Sequence, residues 1–211
     1  MTSTRSFDGT AHGVPSAYRM AARPAAAPVV AVMAPASTAA AGGRASRSGA
    51  RSVVALLALL GIAAAVAAFG SLISAPAIEG WYSETRTPMW NPPNAVFGPV
   101  WTILYTLMSV AAWLVWRSPD SEPRTRALRL YVLQLALNAV WTPAFFGLGA
   151  LVGAPGVWVA LGIIVALDIA ILATIIRFGE VSRIAAGLLV PYWFWALFAT
   201  TLNAAIAVLA R

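Results

Sequence analysis

Beyond residue 52 the chain is a succession of long apolar runs, and its charges fall almost wholly in the gaps between them. The runs cover residues 53–74, 95–116, 130–152, 157–176 and 184–210, and all but the fourth are free of Asp, Glu and Arg. An α-helix rises about 1.5 Å per residue, so each run is long enough to cross a hydrocarbon layer of about 30 Å. The two-residue alternation of a membrane β-barrel strand is missing, which leaves helices. Composition points the same way: 60% of the residues are hydrophobic and 10% charged, whereas soluble domains average roughly 45–50% and 25%. A soluble chain of this size has too little interior to hide so much apolar surface. The expected fold is an all-α integral membrane protein, a bundle of five transmembrane helices.

The residue types present narrow the chemistry. There is no cysteine, His12 is the single histidine, and every basic side chain is an arginine. Disulfides, thiolate nucleophiles, Cys-based metal sites, multi-histidine centres, a lysine Schiff base and a P-loop are all excluded. No catalytic or metal-ligating residue is assigned, and no cofactor is required.

The N-terminal segment differs from the rest. Residues 1–52 hold six arginines (Arg5, Arg19, Arg23, Arg44, Arg47, Arg51) against one acid, Asp8, and so carry +5 of the formal +7. Ala, Pro, Ser and Gly dominate without a helical apolar period, which reads as a disordered basic extension ahead of a membrane domain at 53–211. Its acid-poor, Arg/Ser-rich character fits a transit peptide. The simpler reading is an upstream extension, with the working start nearer Met20 or Met33. No aromatic or motif context accompanies these arginines, so nucleic acid is not an expected partner. The lipid bilayer is.

Arginine placement orients the bundle. Arg44, Arg47 and Arg51 precede the first run. Arg117, Arg124, Arg126 and Arg129 lie between the second and third, and Arg177 and Arg183 between the fourth and fifth. The other side has Arg86 and Arg211. Nine against two places the N-terminus inside and the C-terminus outside. The one long connection, 75–94, then faces outside; it carries Glu79 and Glu84 and ends in Trp90-Asn-Pro-Pro93.

Polar and aromatic residues fall in helical phase. At about 100° per residue, Asn94, Phe97, Trp101, Tyr105, Met108 and Ala112 share one face of the second helix. Tyr131, Gln134, Asn138, Trp141 and Phe145 share a face of the third, provided Pro143 does not rotate the last turn. Tyr192, Trp195, Ala199 and Asn203 align on the fifth. Amides in hydrocarbon need internal partners, so Gln134, Asn138 and Asn203 point inward. Such faces suit a large, flat, mostly apolar ligand, or they are simply helix packing. Trp116, Trp158 and Trp193, at span ends, read as an interfacial belt. Asp168 is the one acid well inside a span, as a relay or ligand contact or as a hydrogen bond to a neighbouring helix. The small residues Gly61, Ala63, Ala64, Ala65, Ala67 and Ala68 permit close packing or dimerisation of the first helix.

Three sets of residues carry a resemblance. Trp81-Tyr82, Pro88-Met-Trp90-Asn-Pro-Pro93 and Gly98-Pro-Val-Trp101-Thr-Ile-Leu-Tyr105 form one set. Gln134-Leu-Ala-Leu-Asn138, Trp141-Thr-Pro143 and Phe145-Phe-Gly147 form the second, and Pro191-Tyr192, Trp195 and Phe198-Ala-Thr-Thr-Leu-Asn203 the third. In order, from about Val53 to Arg211, they resemble the translocator protein family, also called TspO, tryptophan-rich sensory proteins or peripheral-type benzodiazepine receptors. The resemblance implies a five-helix bundle, often homodimeric, that binds tetrapyrroles such as protoporphyrin IX and haem between its helices beneath the first loop. Carried over by motif, the ligand-binding residues are Phe97, Trp101, Tyr105, Asn138, Trp141, Trp195, Ala199 and Asn203, with Trp90, Pro92 and Pro93 in a loop or lid. The implied chemistry is ring stacking on Trp and Tyr plus an amide hydrogen bond from Asn138. Some members place a tyrosine just after the Leu-Asn of the fifth helix for sterol recognition; this chain has Ala204. The connection 148–157 does not align cleanly, so no ligand residue is carried onto the fourth helix.

The expected function is a membrane receptor or sensor that binds tetrapyrroles and regulates or assists their transport and metabolism. The alternatives are light- and oxygen-dependent porphyrin degradation involving Trp101 and Trp195, or a porphyrin or sterol transporter. No acid–base pair supports ordinary catalysis, and no inverted repeat supports transport. A bacterial cell envelope is the expected location, with an organellar membrane as the alternative.

Overall fold

The computed structural model describes residues 38–210, with side chains from Gly49 onward. These residues form α-helices joined by short turns, with no strand among them. They are α1 (Thr38–Glu79), a short α2 (Trp81–Glu84), α3 (Phe97–Trp116), α4 (Glu122–Thr142), α5 (Gly149–Val152), α6 (Ala154–Val181) and α7 (Arg183–Leu209). A 3₁₀ turn, Asn94–Val96, leads into α3, and a π-helical segment, Pro143–Leu148, links α4 to α5. Five stretches are long and apolar enough to span a membrane: Gly49–Glu79, Asn94–Trp116, Glu122–Val152, Ala154–Val181 and Arg183–Leu209. The protein is a multi-pass membrane protein, with five spans and only helical elements among the described residues.

The helices overrun the apolar runs because polar residues at their ends form local bonds. α4 starts at Glu122, where the Ser121 hydroxyl accepts the Arg124 N–H at 3.3 Å and Pro123 sits in the first turn. Arg126 then pairs with Glu122 at 2.8 Å, one turn apart. Ser182 caps α7 in the same way, accepting from the Ala185 N–H. Gly153, at φ +67°, makes the tight turn into α6. α1 begins ahead of the first apolar run, and residues 38–52, which the sequence reading placed in the N-terminal extension, are helical. They contain no proline and are rich in alanine, the best helix former. Residues 1–37, where the rest of that expectation falls, lie outside the described residues.

α6 packs between α4 and α7, and α3 packs chiefly on α7. The core they share is built from Met108, Ala112 and Val115 of α3, Ala127 and Tyr131 of α4, Ile164, Ile171 and Phe178 of α6, and Leu189 and Tyr192 of α7. Alanines at Ala111, Ala160, Ala185 and Ala196 let the helices approach closely, which is what drives association where lipid is as apolar as the helix surface. α1 is the outlier. Val53, Val54, Leu57, Ile62, Phe69 and Leu72 stand exposed on it, the solvation that a lipid-facing helix requires.

Candidate ligand cavity

Pro143 has no N–H to continue the α-helical ladder and its ring crowds the preceding turn, so the helix widens into a π turn there. The widened turn aims two consecutive aromatics the same way. Phe145 stacks on Trp141 (ring centroids 5.4 Å, planes 24° apart), and Phe146 meets the same indole edge-on at 6.4 Å. An undistorted helix would set these two phenylalanines about 100° apart. The sequence reading made Phe145 conditional on Pro143, and the structure retains Phe145 and adds Phe146.

These rings form one wall of a cavity of about 500 Å³ between α1, α3, α4 and α7, beneath the 80–96 connection. Phe97, Trp101 and Tyr105 line it from α3, Asn138 and Trp141 from α4, and Trp195, Ala199 and Asn203 from α7. The structure therefore brings together all eight residues expected to bind ligand. Their rings interlock: Phe97 meets Trp195 edge-on at 5.7 Å, and Trp101 lies 5.4 Å from Tyr105 and 6.2 Å from Tyr192.

The buried polar groups are wired to one another. Tyr105 Oη donates to Asn138 Oδ1 at 2.7 Å, and Asn138 Nδ2 donates to Tyr192 Oη at 2.9 Å, joining α3, α4 and α7. Trp141 Nε1 donates to Asn203 Oδ1 at 3.1 Å, and Asn203 Nδ2 donates to the Val157 carbonyl at 3.0 Å, which ties α4 and α7 to α6. Asn138 was expected to offer its amide to a ligand; here one N–H and the carbonyl oxygen are both engaged between helices. Asn138 and Asn203 thus hold the aromatic walls in place. No arginine or carboxylate lines the cavity among the described residues, and no three of His, Asp and Glu come together there as metal ligands.

Of the loop, the three residues expected in a loop or lid stay outside the cavity lining. Trp90, Pro92 and Pro93 are not among its lining residues; Trp90 lies on a turn closed by the Asn91 N–H and the Pro88 carbonyl, and is 56% exposed. Tyr82 and Asn94 line it instead. Tyr82 packs against Phe145 and Phe146 and donates from Oη to Asn91 Oδ1 at 3.3 Å. Burial pushes its phenol above the ordinary value of 10.0, and the bond to Asn91 opposes that rise. Beside it, the Trp81 ring lies directly over Gly149, where an added Cβ would come within 2.7 Å of the indole.

Two further features were missed or left open. Ala67, Gly70, Ser71, Ser74 and Ala75 of α1 form the remaining wall. Of these only Ala67 fell in the small-residue stretch read as helix packing, and no periodic aromatic signal marked the others. Asp168, buried between α6 and α7, lies outside the cavity lining and accepts from Thr200 Oγ1 at 2.7 Å, which is the helix-to-helix bond among the readings offered.

The sequence places this architecture. The TspO/MBR family model matches residues 55–209, nearly the whole described membrane region. The chain belongs to the TspO/MBR family. Among its relatives, the tryptophan-rich protein TspO of Archaeoglobus fulgidus is 38% identical over 159 residues, covering 74% of this chain and 95% of that protein. The tryptophan-rich sensory protein of Cereibacter sphaeroides is 38% identical over 64% of this chain and 84% of its own length. The human translocator protein is 41% identical over 58% and 70%. The TspO/MBR match leaves residues 1–54 outside it, so the basic extension is not part of what is shared.

Proposed function

We propose that this TspO/MBR protein is a membrane receptor or sensor whose cavity binds a flat, largely apolar ring of the tetrapyrrole class. The observation that carries the reading is the cavity wall itself. Trp101, Tyr105, Trp141 and Trp195 present ring faces and edges from three helices around about 500 Å³, within the few-hundred to thousand Å³ range of small-molecule sites. Aromatic contacts add about 0.5–1.5 kcal/mol each beyond area burial, so several around one ligand yield useful affinity without any charge. With no charge in the wall, the acid groups of a porphyrin stay at the mouth while its ring is buried.

Relatives named sensory protein and translocator protein support a receptor or translocation role over ordinary enzymology. The inside location of the N-terminus and a homodimeric state belong to the same reading, the first resting on the arginine asymmetry. The test is titration of the purified, full-length protein with protoporphyrin IX in the dark, followed by tryptophan quenching. Saturable binding, weakened at least fivefold in Trp101→Ala, supports the reading; the same affinity in both proteins rejects it. Repeating the titration under illumination in air, against porphyrin without protein, separates binding from degradation, because only degradation consumes the porphyrin faster than its own photobleaching.

A further inference from the structure

We propose that ligands enter and leave this cavity sideways from the bilayer, through a gap between α1 and α3. The inference rests on the reading of the cavity as a ligand site. α1 is fastened to α3 in its first half: Trp113 Nε1 donates to the Ser52 carbonyl at 2.9 Å, and Ser109 Oγ reaches the Leu59 carbonyl at 3.4 Å. Past Leu59 no side-chain hydrogen bond joins the two helices among the described residues.

The cavity lies beyond that fastening. Ser71 and Ala75 of α1, Gly98 and Thr102 of α3, and Asn94 where the loop enters α3, line the cavity and are at the same time exposed, which marks them as the rim of an opening that runs along α3 from its loop end toward the middle of the bilayer. Their neighbours in sequence, Leu72 and Ile103, are 77% and 59% exposed, so the rim runs directly into the lipid-facing surface. The rim side chains are small and uncharged. A Cβ added at Gly98 would meet nothing within 4 Å, which leaves clear space at that edge.

The loop end is held shut by comparison. Trp81 is seated on Gly149, Tyr82 packs on Phe145 and Phe146, and the Tyr82–Asn91 bond ties the proline-rich turn to them. Entry from water would have to break this cluster, whereas entry from lipid only parts two helices that small residues separate. A flat apolar ligand partitions into the bilayer and meets the slot edge-on there.

The absence of cysteine makes the test clean. Ser71→Cys and Thr102→Cys, each labelled with bimane in full-length protein in phosphatidylcholine liposomes, should be quenched by brominated acyl chains and spared by aqueous iodide. Quenching by iodide alone overturns the proposal, and this arm needs no ligand. In the second arm, Gly98→Leu should slow both association and release of membrane-dissolved protoporphyrin IX roughly tenfold, as expected for a narrowed gate rather than a damaged site. Unchanged rates with unchanged affinity overturn lateral entry. Failure of the unaltered protein to bind porphyrin overturns the ligand assignment instead, and the bimane result still decides where the cavity opens.

Discussion

At the scale of residues, the indole nitrogens of two cavity tryptophans differ in a way that predicts opposite responses. Trp141 donates to Asn203, whereas the buried Trp195 N–H has no hydrogen-bond partner among the described residues. Replacing Trp141 with Phe strands the Asn203 carbonyl and should destabilise the bundle by about 1–3 kcal/mol, the cost of an unpaired buried acceptor. Trp195→Phe keeps a ring and removes an orphan donor, so its stability should be unchanged or slightly higher. Thermal unfolding in one detergent compares them; equal losses in both would contradict the assignment. Asp168 and Thr200 make a further pair, and a double-mutant cycle of Asp168→Asn with Thr200→Val should give a coupling of about 0.6 kcal/mol, the usual size between membrane helices. Much of this scale was legible beforehand. The helical repeat and the need of amides in hydrocarbon to face inward placed Trp101, Tyr105, Asn138, Trp141, Trp195 and Asn203 on inward faces, and the family resemblance, not the period, marked them as ligand residues. How Asn138 uses its amide was not legible, since its partners Tyr105 and Tyr192 lie on other helices.

At the scale of elements, the loop is anchored through one aromatic in one notch. Gly149→Val would place atoms where the Trp81 indole now lies and should lift α2 off the end of α4–α5. Trypsin cleavage after the exposed Arg86 should then accelerate severalfold, while the five spans stay intact. Tyr82 supplies a pH-dependent readout of the same contact. Its raised pKa means that the neutral phenol stabilises the folded loop fully below the unfolded value near pH 10, and that this contribution is lost as pH rises through the higher folded value. A 295 nm titration should therefore lose a component above pH 10 in Tyr82→Phe; loss of a component at or below pH 10 would contradict burial. The π segment shows where element-level reading stops. Pro143 announces a distortion, but whether the chain kinks or widens depends on the packing of Phe145 and Phe146 against Trp141 and Tyr82. Likewise, the small residues of α1 look the same in sequence whether they face a helix or a cavity.

At the scale of the whole molecule, five apolar runs were sufficient to give the number and type of spans, because the bilayer permits few other solutions. Their arrangement was not contained in those runs: it follows from alanine-lined contacts that seat α6 between α4 and α7 and leave α1 on the outside. Orientation is tested directly on right-side-out vesicles. Thr87→Cys should react with an impermeant maleimide and Ser118→Cys should react only after the membrane is opened; the reverse pattern would invert the arginine argument. The central claim, that the space between α1, α3, α4 and α7 holds a tetrapyrrole, is tested most directly by a crystal structure with zinc protoporphyrin IX and the anomalous signal of its zinc. The account expects that signal inside the cavity, with the ring among Trp101, Tyr105, Trp141 and Trp195. A zinc peak found only on the outer surface, with the cavity free of porphyrin, would contradict it.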